Sequence, residues 1–341
     1  MPSRVPLLYV TNRTQGSAAF GEPAKHVTRL HTLPECQAVI DCFTQHGYGL
    51  YDCARGYGFG TSEEYVGKLD LKGGRVDTKG FAREPGGLAP EKLRAMFNES
   101  LQALGQQKIR VYYLHAPDRK APVPYEDTLR ELNKMYEEGL IEEIGLSNFH
   151  SWEVAEFVWI ARKNGWKQPT VYQGVYNVVE RMIEPELIPC CRKYGLRFYA
   201  YSPLASGLLG GQLLTLADIE TTDSPRWDPK IAGLLAGRLR QRYTALFPLL
   251  KPLKDALERN GMELPEAALR WLQHHSALGE QDGVVIGASS VGQLETNIKY
   301  CEAGPLPEDV VALLDEVWKR AKSTVWHYAT QSSQGYVPQK A

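Results

Sequence analysis

The sequence predicts an α/β protein: a closed (β/α)8 barrel with a long loop after strand seven and an irregular C-terminal tail. Three observations predict it. Eight β-like runs alternate with eight helix-like runs between residues 7 and 304, and such units pair in parallel through right-handed crossovers. Six consecutive β-like runs end in polar or aromatic residues, and a barrel gathers its strand C-termini on one face. The 341 residues suit one barrel domain over 1–341, with no linker or low-complexity stretch to divide it. An open doubly wound sheet shows the same alternation and is the competing architecture.

LLYVT (7–11) is the first strand. PECQAVIDCFTQHG (34–47) is helical, with Cys36, Val39, Ile40 and Phe43 at three-and-four spacing and Gly47 as its stop. YGLYD (48–52) is strand two, SEEYVGKL (62–69) a short helix and RVDTK (75–79) strand three. The helix at 89–105 sets Leu93, Met96, Phe97, Leu101 and Leu104 on one side and ends at Gly105. IRVYYLH (109–115) is strand four. The helix at 125–140 carries a core stripe of Leu129, Leu132 and Met135. IEEIGLS (141–147) is strand five, and a helix at 151–165 opens on Ser151 as its candidate cap. PTVYQG (169–174), a helix at 185–195, LRFYAYS (196–202), a helix at 262–276, DGVVIG (282–287) and a helix at 291–304 complete the series. Residues 204–261 break the rhythm. They read as a long loop with a helical piece at 231–247, laid over one end of the barrel.

Composition excludes several functions. A net charge of −1, with Lys and Arg spread along the chain, leaves no footprint for nucleic acid. No stretch approaches 18 apolar residues, so no membrane span is expected, and the opening residues do not read as a secretory signal. Six cysteines at 36, 42, 53, 190, 191 and 301 form no C-x-x-C. They read as reduced thiols in a reducing, cytoplasmic setting. The glycosylation triplets at Asn12 and Asn98 carry little weight in that setting. His274 and His275 lack an H-E-x-x-H frame, so no metal is expected. GYGFGT lacks the dinucleotide fingerprint spacing, the one Tyr followed by Lys four places on (Tyr336) lies in the C-terminal tail, and no G-x-S-x-G elbow appears.

The chemistry lies at the strand ends. Strand two ends in Asp52, with Tyr57 five residues on; strand three ends in Lys79 and strand four in His115. Singly, each has an ordinary reading: a helix-start acid, a surface charge, a satisfied buried histidine. Their joint placement at equivalent positions points to one site. A free phenol, with pKa about 10, is a poor acid at neutral pH. An ammonium about 4 Å away favours the phenolate by roughly 4 kcal/mol at an effective dielectric near 20. Asp52 offsets part of that and holds Lys79 charged. His115 can donate to a carbonyl oxygen or orient it. Tyr57 is therefore a candidate general acid, protonating an oxygen as negative charge develops there. Such protonation is useful if hydride reaches the carbon, which calls for a nicotinamide.

Residues for that cofactor follow. Ser147, Asn148 and Gln173 can hydrogen-bond a carboxamide, and the Tyr201 ring can stack on a flat ring. SPLASGLLGG (202–211) supplies Ser202, Leu204, Ser206 and Gly207 for close backbone approach to a pyrophosphate. After strand eight, Gly287, Ser289 and Ser290 precede a helix N-terminus suited to an anion, with Gln293 and Asn297 one turn apart on its face. The competing reading of that last segment is a plain helix cap.

The motifs YDCARGYGFGTSE, VDTKG, YYLHAPD, GLSNF, VYQGVYN, YAYSPLASGLLGG and GASSVGQLETN span most of the chain in order. Together they resemble the aldo-keto reductase superfamily. LHAPD, SNFHSWEVAE, NGWKQPTVYQ and GLRFYAYSPLASGLL most resemble the aflatoxin B1 aldehyde reductase group. The resemblance implies a (β/α)8 barrel, NADPH/NADP+, and a catalytic tetrad on Asp52, Tyr57, Lys79 and His115. It also implies reduction of an aldehyde or ketone, such as a secondary-metabolite or xenobiotic carbonyl, and often a homodimer. Tyr57 and His115 would meet the substrate. Arg226 falls near the place of the group's arginine that meets acidic substrates. Trp227, Phe59, Trp326 and Tyr328 suit a bulky substrate or plain packing. The opening LLYVTNRTQGSAAFG, the SPRWDPK loop and the tail from Trp326 depart from the group. A cofactor-sensing regulatory subunit, like potassium-channel β-subunits, is the alternative on the same fold; a metal-free isomerase on a phosphate-binding barrel is a third.

Overall fold

The structure, a computed structural model, describes residues 3–11, 20–22, 29–82, 84–222, 224 and 226–330. The Asn12 triplet and the tail beyond residue 330 lie outside them. Eight strands close a barrel in sequence order: β1 (Leu7–Val10), β2 (Leu50–Asp52), β3 (Arg75–Gly80), β4 (Ile109–Leu114), β5 (Ile141–Ser147), β6 (Val171–Val175), β7 (Arg197–Tyr201) and β8 (Gly283–Ile286). Every pairing is parallel, and β8 returns to β1. The closed barrel therefore replaces the open sheet as an option.

The strands are buried on both faces, so they read as near-continuous apolar runs. Leu8, Val10, Val111, Tyr113, Val171, Tyr199 and Val285 fill the interior, with Ala54 and Tyr57 closing its upper end. Outward residues such as Tyr112, Leu114, Tyr172 and Phe198 meet the helices.

The paired helices are α1 (Leu33–Gln45), α2 (Thr61–Val66), α3 (Pro90–Leu104), α4 (Tyr125–Glu137), α5 (Ser151–Asn164) and α6 (Leu187–Tyr194). Their ends have local causes. Thr32 and Glu35 form a capping box ahead of α1. Gly105 stops α3 in a left-handed conformation, φ 59°. At α5 the cap is His150, not Ser151: the His150 N–H donates to the Glu153 carboxylate at 2.7 Å. The Ser151 hydroxyl instead donates to Glu186.

The segment after β7 is more helical than the sequence indicates. It carries α7 (Leu216–Thr221), α8 (Pro229–Ala232), α9 (Leu234–Tyr243) and α10 (Phe247–Arg259), followed by α11 (Leu264–His274) and, after β8, α12 (Val291–Glu302). Proline at the start of α10 and Pro252 within it give that stretch a loop-like composition. A further helix, α13 (Glu308–Ala321), follows α12 and buries Val310, Leu314 and Val317. Among the described residues no helix is long and apolar enough to cross a membrane. None of the six cysteines is in a disulfide.

Candidate active site

Strand register brings the candidate acid and its partners together. Asp52 ends β2, and Lys79 stands one residue from the end of β3. The Lys79 ammonium is fully buried. It donates to Asp52 Oδ2 at 2.6 Å, to the Cys53 carbonyl at 2.8 Å and to the Tyr57 hydroxyl at 3.5 Å. Gln173 holds the other Asp52 oxygen, donating through Nε2 at 2.9 Å. Burial alone opposes the charge on Lys79. Asp52 and Tyr57 outweigh it, so the ammonium titrates above the ordinary lysine range.

Tyr57 follows Ala54 on a short 3-10 turn, Tyr57–Gly60, at the mouth of the barrel. The turn is tightly specified. Arg55 pairs with Glu63 at 2.8 Å, and that carboxylate is fully buried. Thr78 donates to the same carboxylate. Gly60 has φ 101°, and a Cβ there would fall 1.9 Å from Arg55 Nη2. Glycine is thus required where the guanidinium crosses the backbone. The Arg55–Glu63 clamp spans the turn that carries Tyr57.

His115 faces Tyr57 edge-on, with ring centroids 5.7 Å apart and planes at 81°. Phe81 walls its other side at 6.3 Å. Burial, with the Lys79 charge nearby, pushes the imidazole down to about 3. A neutral imidazole can donate one N–H to an oxygen without carrying charge. Four groups therefore converge: a phenol, an ammonium, a carboxylate and an imidazole. The arrangement can deliver a proton to an oxygen placed between Tyr57 and His115.

Ser147, Asn148, Gln173 and Tyr201 border this cluster. Asn148 has φ 65°, an uncommon conformation for a side-chain-bearing residue. Its amide donates to the His115 carbonyl and to Ser147 Oγ, each at 2.9 Å. Its oxygen accepts from the Tyr201 hydroxyl at 2.8 Å. Asn148 thus locks the stacking candidate Tyr201 to the His115 strand end.

A cleft of about 190 Å³ runs on from β7 and β8. Leu204, Ser206, Gly207, Gly287, Ser289, Gln293 and Asn297 all line it. Ser290 stands just behind, capping α12 by accepting from the Gln293 N–H at 3.2 Å. Ser202 has φ 59°, and its buried hydroxyl has no hydrogen-bond partner among the described residues. An orphaned buried hydroxyl beside a glycine-rich turn fits a bound group supplied from outside the chain.

Arg226 is nearly fully buried. It lines this cleft and donates to the Ser206 carbonyl, beside the cofactor candidates. Trp227 is fully buried against Tyr243 and also borders the cleft. Tyr328 is buried too, accepting from the Ser151 N–H at 3.0 Å. Phe59 is 73% exposed. Arg29, which also lines the cleft, escaped sequence reasoning because no motif surrounds it. His274 and His275 each bond backbone, to the Ala303 carbonyl and the Leu306 N–H.

The sequence model of the aldo/keto reductase family matches residues 16–319. An aldo-keto reductase of Pseudocercospora fijiensis is 40% identical over 83% of this chain and 97% of its own length. Aflatoxin B1 aldehyde reductase member 2 of Mus musculus is 38% identical over 88% of this chain and 87% of its own. Aldo-keto reductase pigE of Monascus ruber is 35% identical over 92% and 95%. The chain belongs to the aldo/keto reductase family and is an oxidoreductase acting on carbonyl compounds.

Proposed function

We propose that the protein reduces an aldehyde or ketone to an alcohol with NADPH, using Tyr57 as general acid. The observation that carries this is the buried Lys79 ammonium held between Asp52 and the Tyr57 hydroxyl. NADPH, when bound, supplies the hydride. The chain's own residues do the rest. The ammonium stabilises the charge left on Tyr57 once its proton has gone to the substrate oxygen. His115, neutral, donates to that same oxygen and orients the carbonyl. Asp52 keeps Lys79 charged, and Gln173 keeps Asp52 in place.

The cofactor residues fit a dinucleotide. Tyr201 would stack on the nicotinamide, with Ser147, Asn148 and Gln173 beside its carboxamide. Ser202, Leu204, Ser206 and Gly207 would cradle the pyrophosphate. Arg29 and Arg226 bring two guanidinium groups to a cleft that ends at Ser289, Ser290 and the α12 N-terminus. So much positive character favours the cofactor with the additional phosphate. A secondary-metabolite or xenobiotic carbonyl is the proposed substrate, in keeping with the aflatoxin B1 aldehyde in one relative's name. Cysteines outside disulfides suit a cytoplasmic setting.

The test is a panel of aldehydes and ketones with NADPH and with NADH, followed at the nicotinamide absorbance. Many turnovers per protein, with NADPH preferred at least about tenfold, are expected; equal use of NADH contradicts the cofactor assignment. Oxidation of no more than one equivalent of NADPH would favour the cofactor-sensing regulatory subunit instead.

A further inference from the structure

A second buried ion pair lies inside the barrel beside the proposed acid, and no step above uses it. Asp77 and Lys79 are two residues apart on β3, so they project to the same side of the strand. Asp77 is also the direct strand partner of Asp52 on β2. Two buried carboxylates therefore stand on adjacent strands, roughly 5 Å apart at the backbone. Each has its own cation. Lys79 takes Asp52. Arg110, from β4, takes Asp77 through Nε at 2.7 Å and Nη2 at 2.5 Å.

The surroundings fix this sorting. The Tyr113 ring lies under Lys79, 5.6 Å from the ammonium, and its hydroxyl donates to Asp77 at 3.4 Å. That ring occupies space that Gly145 leaves open; a Cβ there would fall 2.2 Å from it. The Tyr199 hydroxyl accepts from Arg110 at 3.3 Å. Arg197 and Glu143 form a further pair nearby. His115 and Tyr57 close the cluster on the other side of Lys79. A guanidinium fork matches one carboxylate along two bonds, whereas an ammonium on a four-carbon stem is a mobile point charge that can serve either acid.

We propose that Arg110 and Asp77 are positioning residues for the reduction: by occupying Asp77, Arg110 commits the Lys79 ammonium to Asp52 and Tyr57. The inference rests on Tyr57 being the acid. Burial, opposed by Arg110, leaves the Asp77 carboxyl at about 6. It is therefore ionised through the neutral and alkaline range, where it attracts any cation that Arg110 does not hold off. Without Arg110, Lys79 has a second carboxylate to turn to, and Tyr57 loses its stabilising charge.

The experiment compares alkaline limbs of the kcat profile in wild type, Arg110→Gln, Asp77→Asn and the double variant, with KM for NADPH alongside. Arg110→Gln is expected to lose at least about tenfold in kcat with little change in KM. Its alkaline limb moves up by about one pH unit, since the phenol holds its proton more tightly without the ammonium. Adding Asp77→Asn removes the competing carboxylate, returning kcat to within about threefold of wild type and the limb to its original place. Asp77→Asn alone leaves Arg110 unbalanced and moves the limb down. If Arg110→Gln does not fold, the downward limb of Asp77→Asn and its reversal in the double variant carry the test. Unmoved limbs, limbs moving the same way in both single variants, or a double variant at least as impaired as Arg110→Gln overturn the proposal. The same profile on residual Tyr57→Phe activity separates the two ideas: a limb that persists there removes Tyr57 as the acid, whereas one that vanishes there yet ignores Arg110 and Asp77 removes only this inference.

Discussion

The Lys79 ammonium lies 2.6 Å from Asp52 Oδ2, and both side chains are out of reach of solvent. Breaking such a pair leaves one uncompensated buried charge, which costs roughly 3–5 kcal/mol. Asp52→Asn keeps the shape and the Gln173 neighbour but removes the charge. Expected is a loss of about 3 kcal/mol in chemical denaturation, with kcat reduced by about 100-fold or more. Because the folded Lys79 titrates above its ordinary range, its share of stability is fully present below about pH 10.4. That share disappears only as pH rises through the higher folded value. The stability gap attributable to the ammonium should therefore hold steady between pH 7 and 9.

His115 gives the opposite pH signature. Its folded value is depressed to about 3 by burial and by Lys79, so the neutral ring is the native form. Its contribution is present above the unfolded value near 6.5 and is lost as pH falls from there towards the folded value. Between pH 8 and pH 5 the wild type should lose up to about 2 kcal/mol from this group alone. In His115→Asn that part of the acid slope should disappear, as read from denaturation midpoints across the range. An unchanged slope would mean that His115 charges freely in the folded protein.

Asn148 joins three elements through one side chain, at φ 65°. Alanine there would face a left-handed backbone cost of roughly 1–2 kcal/mol and lose all three bonds. Asn148→Ala is expected to weaken NADPH binding about tenfold, because Tyr201 loses its tether, and to lower Tm by several degrees. Asn148→Gly should lose the same affinity with a smaller drop in Tm, since glycine accepts that backbone. Fluorescence titration with NADPH checks both; unaltered affinity in either variant would separate Asn148 from the cofactor.

The barrel was legible because each strand is covered on both faces and announces itself as an apolar run, while the helices carry stripes such as Leu129, Leu132 and Met135. Asp52, Lys79 and His115 stood out because a strand's last residues face the site, whatever the loops do. What escaped depended on three dimensions. The helix holding Val310, Leu314 and Val317 follows eight complete units, and no place in the barrel's alternation asks for it. Prolines disguised the helix around Leu253. Arg226 took its expected role from a loose correspondence, and only the cleft shows it beside Ser206. Arg110 and Asp77 looked like ordinary polar residues inside strands, since their pairing depends on strand register.

The most direct measurement is single-turnover hydride transfer from NADPH in Tyr57→Phe, paired with titration of cofactor binding in the same variant. Phenylalanine keeps the ring packed against His115 and removes only the hydroxyl beside Lys79. A rate reduced by about 100-fold or more, with NADPH affinity within about twofold of wild type, is the predicted result. Turnover at the wild-type rate would contradict the assignment of the proton donor and, with it, the account of why four side chains far apart in the sequence meet.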